Sequence, residues 1–206
     1  MNSPYISIDI ETTGTDPERH QILEIGAVYN RQEVDVMSCP VFHGVVDPGE
    51  IFGSALALNM NARLIERIAK GGGDPLGLVM EGLMDWVRDL RNTFGIDYFH
   101  LIGKNVGAFD LQFLKRVPGW RGDYFSYRHL EVGSLYSTPE GINSQADLYT
   151  ALATDAKIEG NPHEALYDAR VALELGRRFW RDTSWNTLYG TIAACHRTVE
   201  KSKETT

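Results

Sequence analysis

The chain has 206 residues, a formal net charge of −8 and 43% hydrophobic residues. These values predict one soluble domain over residues 1–206, with a core over about 4–180, a helical extension over about 183–200 and a polar tail. The acidic balance argues against binding nucleic acid through a broad basic surface, and no run approaches the ~18 apolar residues of a membrane span.

The start of the chain carries no basic region followed by an apolar one, so the sequence predicts no signal peptide. Its two cysteines are isolated and have no metal-ligand spacing. Both observations predict a cytoplasmic protein.

A first strand is predicted over Tyr5–Ile10 by alternating apolar and polar residues. Asp9 and Glu11 would then point to the same face, so both carboxylates aim at one place. The alternative is a charged strand end that faces water. Gly14 allows backbone to approach a ligand closely. We predict that the residues after the strand contact a substrate: Thr12, Thr13 and Gly14.

Further strands are predicted over Ile22–Asn30 and Glu33–Phe42, and helices over Ala55–Ala69 and Leu76–Phe94. A glycine-rich segment separates the two helices and lacks the lysine of a phosphate-binding loop, which favours a flexible turn.

A fourth strand over Tyr98–Gly103 leads through a loop into a helix that begins near Asp110. Asp110 is either a helix-starting carboxylate or a site residue, because acidic residues are favourable at helix N-termini. Asn105 in the loop is equally a turn residue or a ligand contact. A fifth strand is predicted over His129–Val132.

A helix start is predicted with Asn161 as N-cap, and the helix runs to about Trp180. His163 and Asp168 are five residues apart, about 140° around a helix, so they do not share a face. Both reach one site only if His163 reaches in over the helix end. The alternative is a solvent-exposed histidine in the first turn.

Carboxylates brought together by folding repel one another unless cations neutralise them. A set of oxygen ligands selects hard divalent ions, and two such ions are suited to in-line phosphoryl chemistry. The histidine would then accept a proton from an attacking water. The predicted cofactors are two Mg²⁺ or Mn²⁺ ions held by four carboxylates: Asp9, Glu11, Asp110 and Asp168.

The segment from Lys115 to Leu130 combines basic residues with interleaved aromatics inside an acidic protein. Basic groups bind phosphates and aromatic faces stack on bases, a combination typical of single-strand binding. The alternative is a loop whose aromatics anchor it to the core. Tyr127 and Arg128 are the predicted contacts.

Together the three acidic segments resemble the motifs of the DEDDh superfamily of 3′→5′ exonucleases over roughly residues 4 to 180. The resemblance implies a ribonuclease H-like fold: an α/β domain with a mixed five-stranded sheet flanked by helices. It implies two metals, His163 as general base, and release of 5′-mononucleotides from single-stranded RNA or DNA or from short oligonucleotides.

Residues 124–132 resemble the segment that oligoribonuclease lends across its dimer, which makes a homodimer an expected arrangement. The stretch ending at Asn59-Met60 is more similar to the ribonuclease T and proofreading group, where it lines the terminal-base pocket. Degenerate relatives that only bind nucleic acid or act as scaffolds form the alternative function, but all five motif residues are present. The remaining predicted substrate contacts are Leu56, Asn59, Met60 and Phe109.

Overall fold

The computed structural model describes residues 4–135 and 155–181. Its described strands form one sheet in the order β3-β2-β1-β4-β5. β1 pairs antiparallel with β2 and β2 with β3, whereas the β1–β4 and β4–β5 pairs are parallel. The strands are β1 (Tyr5–Thr12), β2 (Ile22–Tyr29), β3 (Val41–Val45), β4 (Phe99–Gly103) and β5 (Phe125–Glu131).

Two long helices cover the two faces of the sheet. One packs against the face that carries Ile6, Ile8 and Ile10, and the other packs against the face that carries Val28 and Ile102. The described helices are α1 (Ala55–Met60), α2 (Ala62–Ala69), α3 (Leu76–Phe94), α4 (Asp110–Leu114), α5 (Val132–Leu135) and α6 (Ala165–Arg181), of which α3 and α6 are the two long ones.

The start of α6 lies directly on β2. A Cβ atom at Gly26 would collide with the main chain of Ala165 and Leu166, so only glycine allows this approach. The faces of β1 divide as the alternation predicts, with the isoleucines on the α3 side. Asp9 and Glu11 therefore lie on the α6 side, one strand away from the helix start.

The third strand was predicted too early. Instead of extending from Glu33 to Phe42, pairing with β2 begins at Val41. The preceding residues form a short 3₁₀ turn, because the side chain of Asp35 accepts a hydrogen bond from the N–H of Met37 at 2.8 Å. This local bond competes with strand pairing.

The predicted helix over Ala55–Ala69 is two helices. Asn61 ends α1 and precedes α2, and its side-chain Nδ2 donates to the carbonyl oxygen of Thr12 at 3.1 Å. This buried residue therefore ties the break between the helices to the end of β1.

The fifth strand begins at Phe125, four residues before the predicted His129. β5 is an edge strand, so its middle residues are exposed and carry no apolar alternation. None of the helices in the described part of the chain is both long and apolar enough to cross a membrane. The predicted extension over 183–200 and the tail lie outside the described residues.

Candidate active site

The carboxyl end of β1 brings two acidic side chains to the α6 side of the sheet. Asp9 is half-buried and Glu11 is 9% exposed. Strand pairing places Glu11 opposite Glu24 of β2, and the register shifts at the following residue, Thr12. The strand thus delivers both carboxylates to the place where α6 begins.

Asp110 reaches the same strand from the other side. It is 1% exposed at the first position of α4, and its Oδ1 accepts a hydrogen bond from the main-chain N–H of Ile10 at 3.0 Å. The residue bonded to Asp110 lies between Asp9 and Glu11 in the chain. Asp110 is therefore fixed to β1 and is more than an ordinary helix starter.

The third segment places His163 just before α6 and Asp168 in its first turn. The predicted helix start was three residues too early: His163 has a left-handed backbone (φ +66°), and α6 begins at Ala165. Asp168 Oδ2 accepts a hydrogen bond from the main-chain N–H of His163 at 2.9 Å. Ligand atoms of Glu11, His163 and Asp168 lie within 4.8 Å of one another.

Glu24 holds the first turn of α6 in place. This 3% exposed residue accepts a hydrogen bond from the N–H of Ala165 through Oε2 at 2.7 Å. Its other oxygen lies 2.7 Å from Nε2 of His43. A carboxylate at a helix N-terminus satisfies an N–H that has no partner in the helix and is stabilised by the helix dipole.

Three of the four carboxylates line a cavity of about 530 Å³. Asp9, Glu11 and Asp168 line it together with His163, whereas Asp110 is not among its lining residues. Of the predicted substrate contacts, those that line the cavity are Thr12, Gly14, Leu56, Met60, Asn105 and Phe109.

Four predicted contacts lie elsewhere. Thr13 is fully buried and its carbonyl oxygen accepts a hydrogen bond from the N–H of Ser54. Asn59 is exposed and is not among the described residues that line the cavity. Tyr127 and Arg128 lie on β5, where Tyr127 is 83% exposed.

The carboxyl groups of the acidic cluster have pKa values above their ordinary range. Burial, followed by the charges of Asp110 and Asp168, raises the pKa of Asp9 well above its ordinary value. Burial and then the charge of Asp168 raise the pKa of Glu11 to about 7. All these shifts disfavour the ionised form in the absence of a cation.

The other two carboxyls follow the same pattern. Burial raises the pKa of Asp110 to about 8, against the opposing effect of the Ile10 N–H. Burial also raises the pKa of Asp168, while the hydrogen bond from His163 lowers it. Four buried or half-buried acids that offer only oxygen donors fit hard divalent cations, which would neutralise their negative charge.

Several residues that line the cavity were not predicted from the sequence. Lys104 directly follows β4, and its positive charge lowers the pKa of both Asp9 and Asp168. Asn61 and Tyr167 also line the cavity. Lys104 comes directly after an apolar strand, and this position is the signal that could have identified it.

The similarity to known proteins extends over most of the chain. A family model described as a 3′-5′ exoribonuclease Rv2179c-like domain matches residues 4–180. An oligoribonuclease of Coxiella burnetii is 26% identical over 176 residues, which cover 82% of this chain and 88% of that protein. An oligoribonuclease of Vibrio campbellii is 26% identical over 73% of this chain and 85% of its own length.

Solved structures share the fold. The nuclease domain of 3′hExo, a DEDDh family member bound to rAMP, matches with a TM-score of 0.59 and 18% identity, over 87% of this chain and 92% of that chain. E. coli exonuclease I in complex with a dT13 oligonucleotide matches with a TM-score of 0.58 and 13% identity, over 91% of this chain and 43% of that chain. The predicted ribonuclease H-like sheet flanked by helices is confirmed.

Proposed function

Because the chain belongs to the Rv2179c-like 3′-5′ exoribonuclease family, we propose that it removes nucleotides from the 3′ end of single-stranded RNA or short oligonucleotides. The products are 5′-mononucleotides. The reaction uses two divalent ions, Mg²⁺ or Mn²⁺, and His163 as general base. The chain is a 3′-5′ exonuclease, so the alternative of a non-catalytic scaffold is not retained.

The observation that carries this proposal is the convergence of four acids from three distant segments: three line one cavity, and the fourth, Asp110, is hydrogen-bonded to β1 between two of them. Burial raises the pKa of Asp9, Glu11, Asp110 and Asp168, and repulsion within the set adds to the increase at the first three. A cluster of this kind is costly to ionise in the bare protein and is stabilised by cations. When bound, two divalent ions would stabilise the charge on both oxygens of an in-line displacement at phosphorus.

The chain's own residues divide the remaining work. Asp9, Glu11 and Asp168 line the cavity and would hold the ions directly. Asp110 is bonded to the Ile10 N–H, and it would complete the set with the oxygen that this bond leaves available. Lys104 supplies a positive charge at the cavity wall, where the scissile phosphate would lie.

His163 accepts the proton of the attacking water in this proposal. It is exposed, and its ring nitrogens are within reach of the same space as Glu11 and Asp168. The hydrogen bond from its N–H to Asp168 uses the main chain, and neither ring nitrogen is hydrogen-bonded to another residue in the described parts of the chain. A base must lie within hydrogen-bond reach of the proton that it removes.

The apolar residues that line the same cavity suit the terminal nucleoside. Leu56 is 72% exposed and Met60 is 46% exposed, and both line the cavity together with Phe109. Exposed apolar side chains beside a charged centre provide a surface on which a base can pack. Tyr127 and Arg128 on the β5 edge would contact the 5′ side of a short substrate, across a homodimer interface as in oligoribonuclease.

A time course on matched 5′-labelled RNA and DNA strands, with and without a chelator, tests the proposal. We expect a ladder that shortens from the 3′ end and stops when the chelator is added. A 3′-phosphate should block the reaction, because it adds charge and bulk where the terminal hydroxyl docks. Cutting of a circular single strand, or full activity in the chelator, would contradict the proposal.

A further inference from the structure

A second cavity adjoins the catalytic one on the far side of His163. Its volume is about 350 Å³, within the range of ligand sites. It lies between α2, the outer strand β3 and the start of α6. Among the described residues, five line both cavities: Met60, Asn61, Pro162, His163 and Tyr167.

Helical geometry explains why the first turns of α6 serve both cavities. Asp168 and Val171 face the catalytic cavity, whereas Leu166 and Arg170 face the second one. Arg170 is two residues beyond Asp168, about 200° around the helix. A ligand in the second cavity therefore lies on the opposite side of the helix start from the acids, with His163 between them.

Three arginines line this second cavity. Arg63 and Arg67 are four residues apart on α2 and thus share a face, and Arg170 approaches from α6. Within residues 4–135 and 155–181, none of the three forms an ion pair or a side-chain hydrogen bond. The Nε of Arg170 is buried and has no acceptor there. These guanidinium groups are therefore available to a ligand.

Three acidic residues line the second cavity as well, but none of them pairs with one of the arginines. Glu24 is used by His43 and by the N–H of Ala165. Glu164 accepts hydrogen bonds from both the main chain and the side chain of Asn161. One carboxylate, the exposed Glu159, has no hydrogen bond or ion pair with another described residue and faces three arginines.

We propose that this arginine-lined cavity binds backbone phosphates of the substrate strand, 5′ of the bond that is cut. Guanidinium groups match phosphate oxygens in geometry and charge. An exonuclease that cuts at the 3′ end has every other phosphate of its substrate on the 5′ side. A strand that reaches this cavity must therefore be longer than a dinucleotide, and the preferred substrates are oligonucleotides of several residues.

This inference rests on the proposed exonuclease function and gives it a length preference. The test compares kcat/KM for a dinucleotide and for a strand of about twelve nucleotides. The variants are Arg63→Ala with Arg67→Ala, Arg170→Ala, and the corresponding lysine substitutions. Arg88→Ala is the matched control, because Arg88 is exposed on α3 and paired with Asp85, away from both cavities.

We expect the ratio of kcat/KM, long strand over dinucleotide, to fall about tenfold in the alanine variants, mainly through KM. Lysine should restore part of the ratio, since it keeps the charge without the bidentate geometry. The slope of log affinity against log salt for the long strand should become shallower by about 0.7 for each phosphate that the variant no longer neutralises. Arg88→Ala should change neither quantity.

Three results would overturn the inference. An unchanged ratio and salt slope in alanine variants with the wild-type melting temperature would show that the arginines are only solvated. Equal losses on both substrates would place them in the catalytic centre. Loss of 5′-AMP binding in the alanine variants, measured by calorimetry, with an unchanged ratio would make the cavity a site for the product. A wild-type protein that cuts neither substrate would instead contradict the proposed function itself.

Discussion

The main-chain N–H of His163 is hydrogen-bonded to Oδ2 of Asp168, with a donor–acceptor distance of 2.9 Å. This bond explains how two residues five positions apart meet at one cavity although they could not share a helical face. It requires the left-handed backbone at His163, which ends the preceding turn and turns the residue back over the helix start. The backbone conformation of His163 and the carboxylate of Asp168 therefore determine the position from which the imidazole extends.

Replacing His163 with alanine should lower kcat by roughly 10²–10⁴-fold, the usual contribution of a positioned base. Affinity for Mg²⁺ should change little, because the four carboxylates remain. Single-turnover rates and metal titrations measure the two effects separately. His163→Asn is the matched control, since asparagine tolerates a left-handed backbone better than alanine does. Equal rate losses in both variants would assign the defect to the lost imidazole, and wild-type rates would exclude the base role.

Asp9→Asn should abolish turnover and raise the melting temperature of the metal-free protein. The pKa of Asp9 is raised by burial and then by Asp110 and Asp168, so a neutral amide at this position removes a destabilising charge. Differential scanning calorimetry in chelator checks the stability, and added Mg²⁺ should stabilise the wild type more than the variant. A variant that is less stable than the wild type in chelator would contradict the repulsion argument.

The metal-free protein should lose stability as the pH rises from about 5 to about 8. The folded-state pKa values of Glu11 and Asp110 are raised to about 7 and about 8. At pH values between the ordinary and the raised pKa of each group, the folded state binds more protons than the unfolded state. The free energy of unfolding is therefore highest at low pH and falls as both groups ionise. Melting temperatures across this range in chelator test the sign, and saturating Mg²⁺ should flatten the dependence.

Glu24→Gln should destabilise the protein by about 1–2 kcal/mol, because the start of α6 loses its charged acceptor. Since this helix carries Asp168, we also expect kcat to fall while the catalytic residues themselves are unchanged. Glu66→Gln is the control: its exposed ion pair with Lys70 should contribute less than about 1 kcal/mol. Chemical denaturation and kcat measured together would show whether the two effects of Glu24 are linked.

Arg128→Ala should raise KM for short substrates more than it lowers kcat, as expected when a residue binds ground and transition states alike. Its Nε donates to the hydroxyl oxygen of the exposed Tyr127 at 2.9 Å, so the two side chains form one surface feature on the sheet edge. Steady-state kinetics and analytical ultracentrifugation provide the readouts. If neither substrate binding nor the oligomeric state changes, the pair is merely structural.

Local pattern was enough to predict part of the site. The alternation in β1 identifies the shared face of Asp9 and Glu11, because side-chain direction in a strand depends only on position. The same holds for the prediction that His163 must reach over the end of α6. Both are properties of short segments with one regular period.

Contacts between residues far apart in the chain could not be predicted from such local patterns. Glu24 interrupts an apolar run in β2 and looks like an ordinary strand residue, yet its partner Ala165 is 141 positions away. Asn61 lies inside a continuous helical pattern, and its bond to Thr12 decides where the helix breaks. β5 was placed too late because its middle residues are exposed and show no apolar alternation.

The contact between Gly26 and the start of α6 determines how a substitution outside the active site would affect activity. Any side chain at this position must push the main chain of Ala165 and Leu166 away from the sheet. A catalytic group tolerates displacement of only about 0.5 Å. In a mutational screen, a Gly26→Ala protein would therefore be inactive, although it keeps all of the catalytic residues. Natural variation at this residue should be as restricted as at the acids themselves.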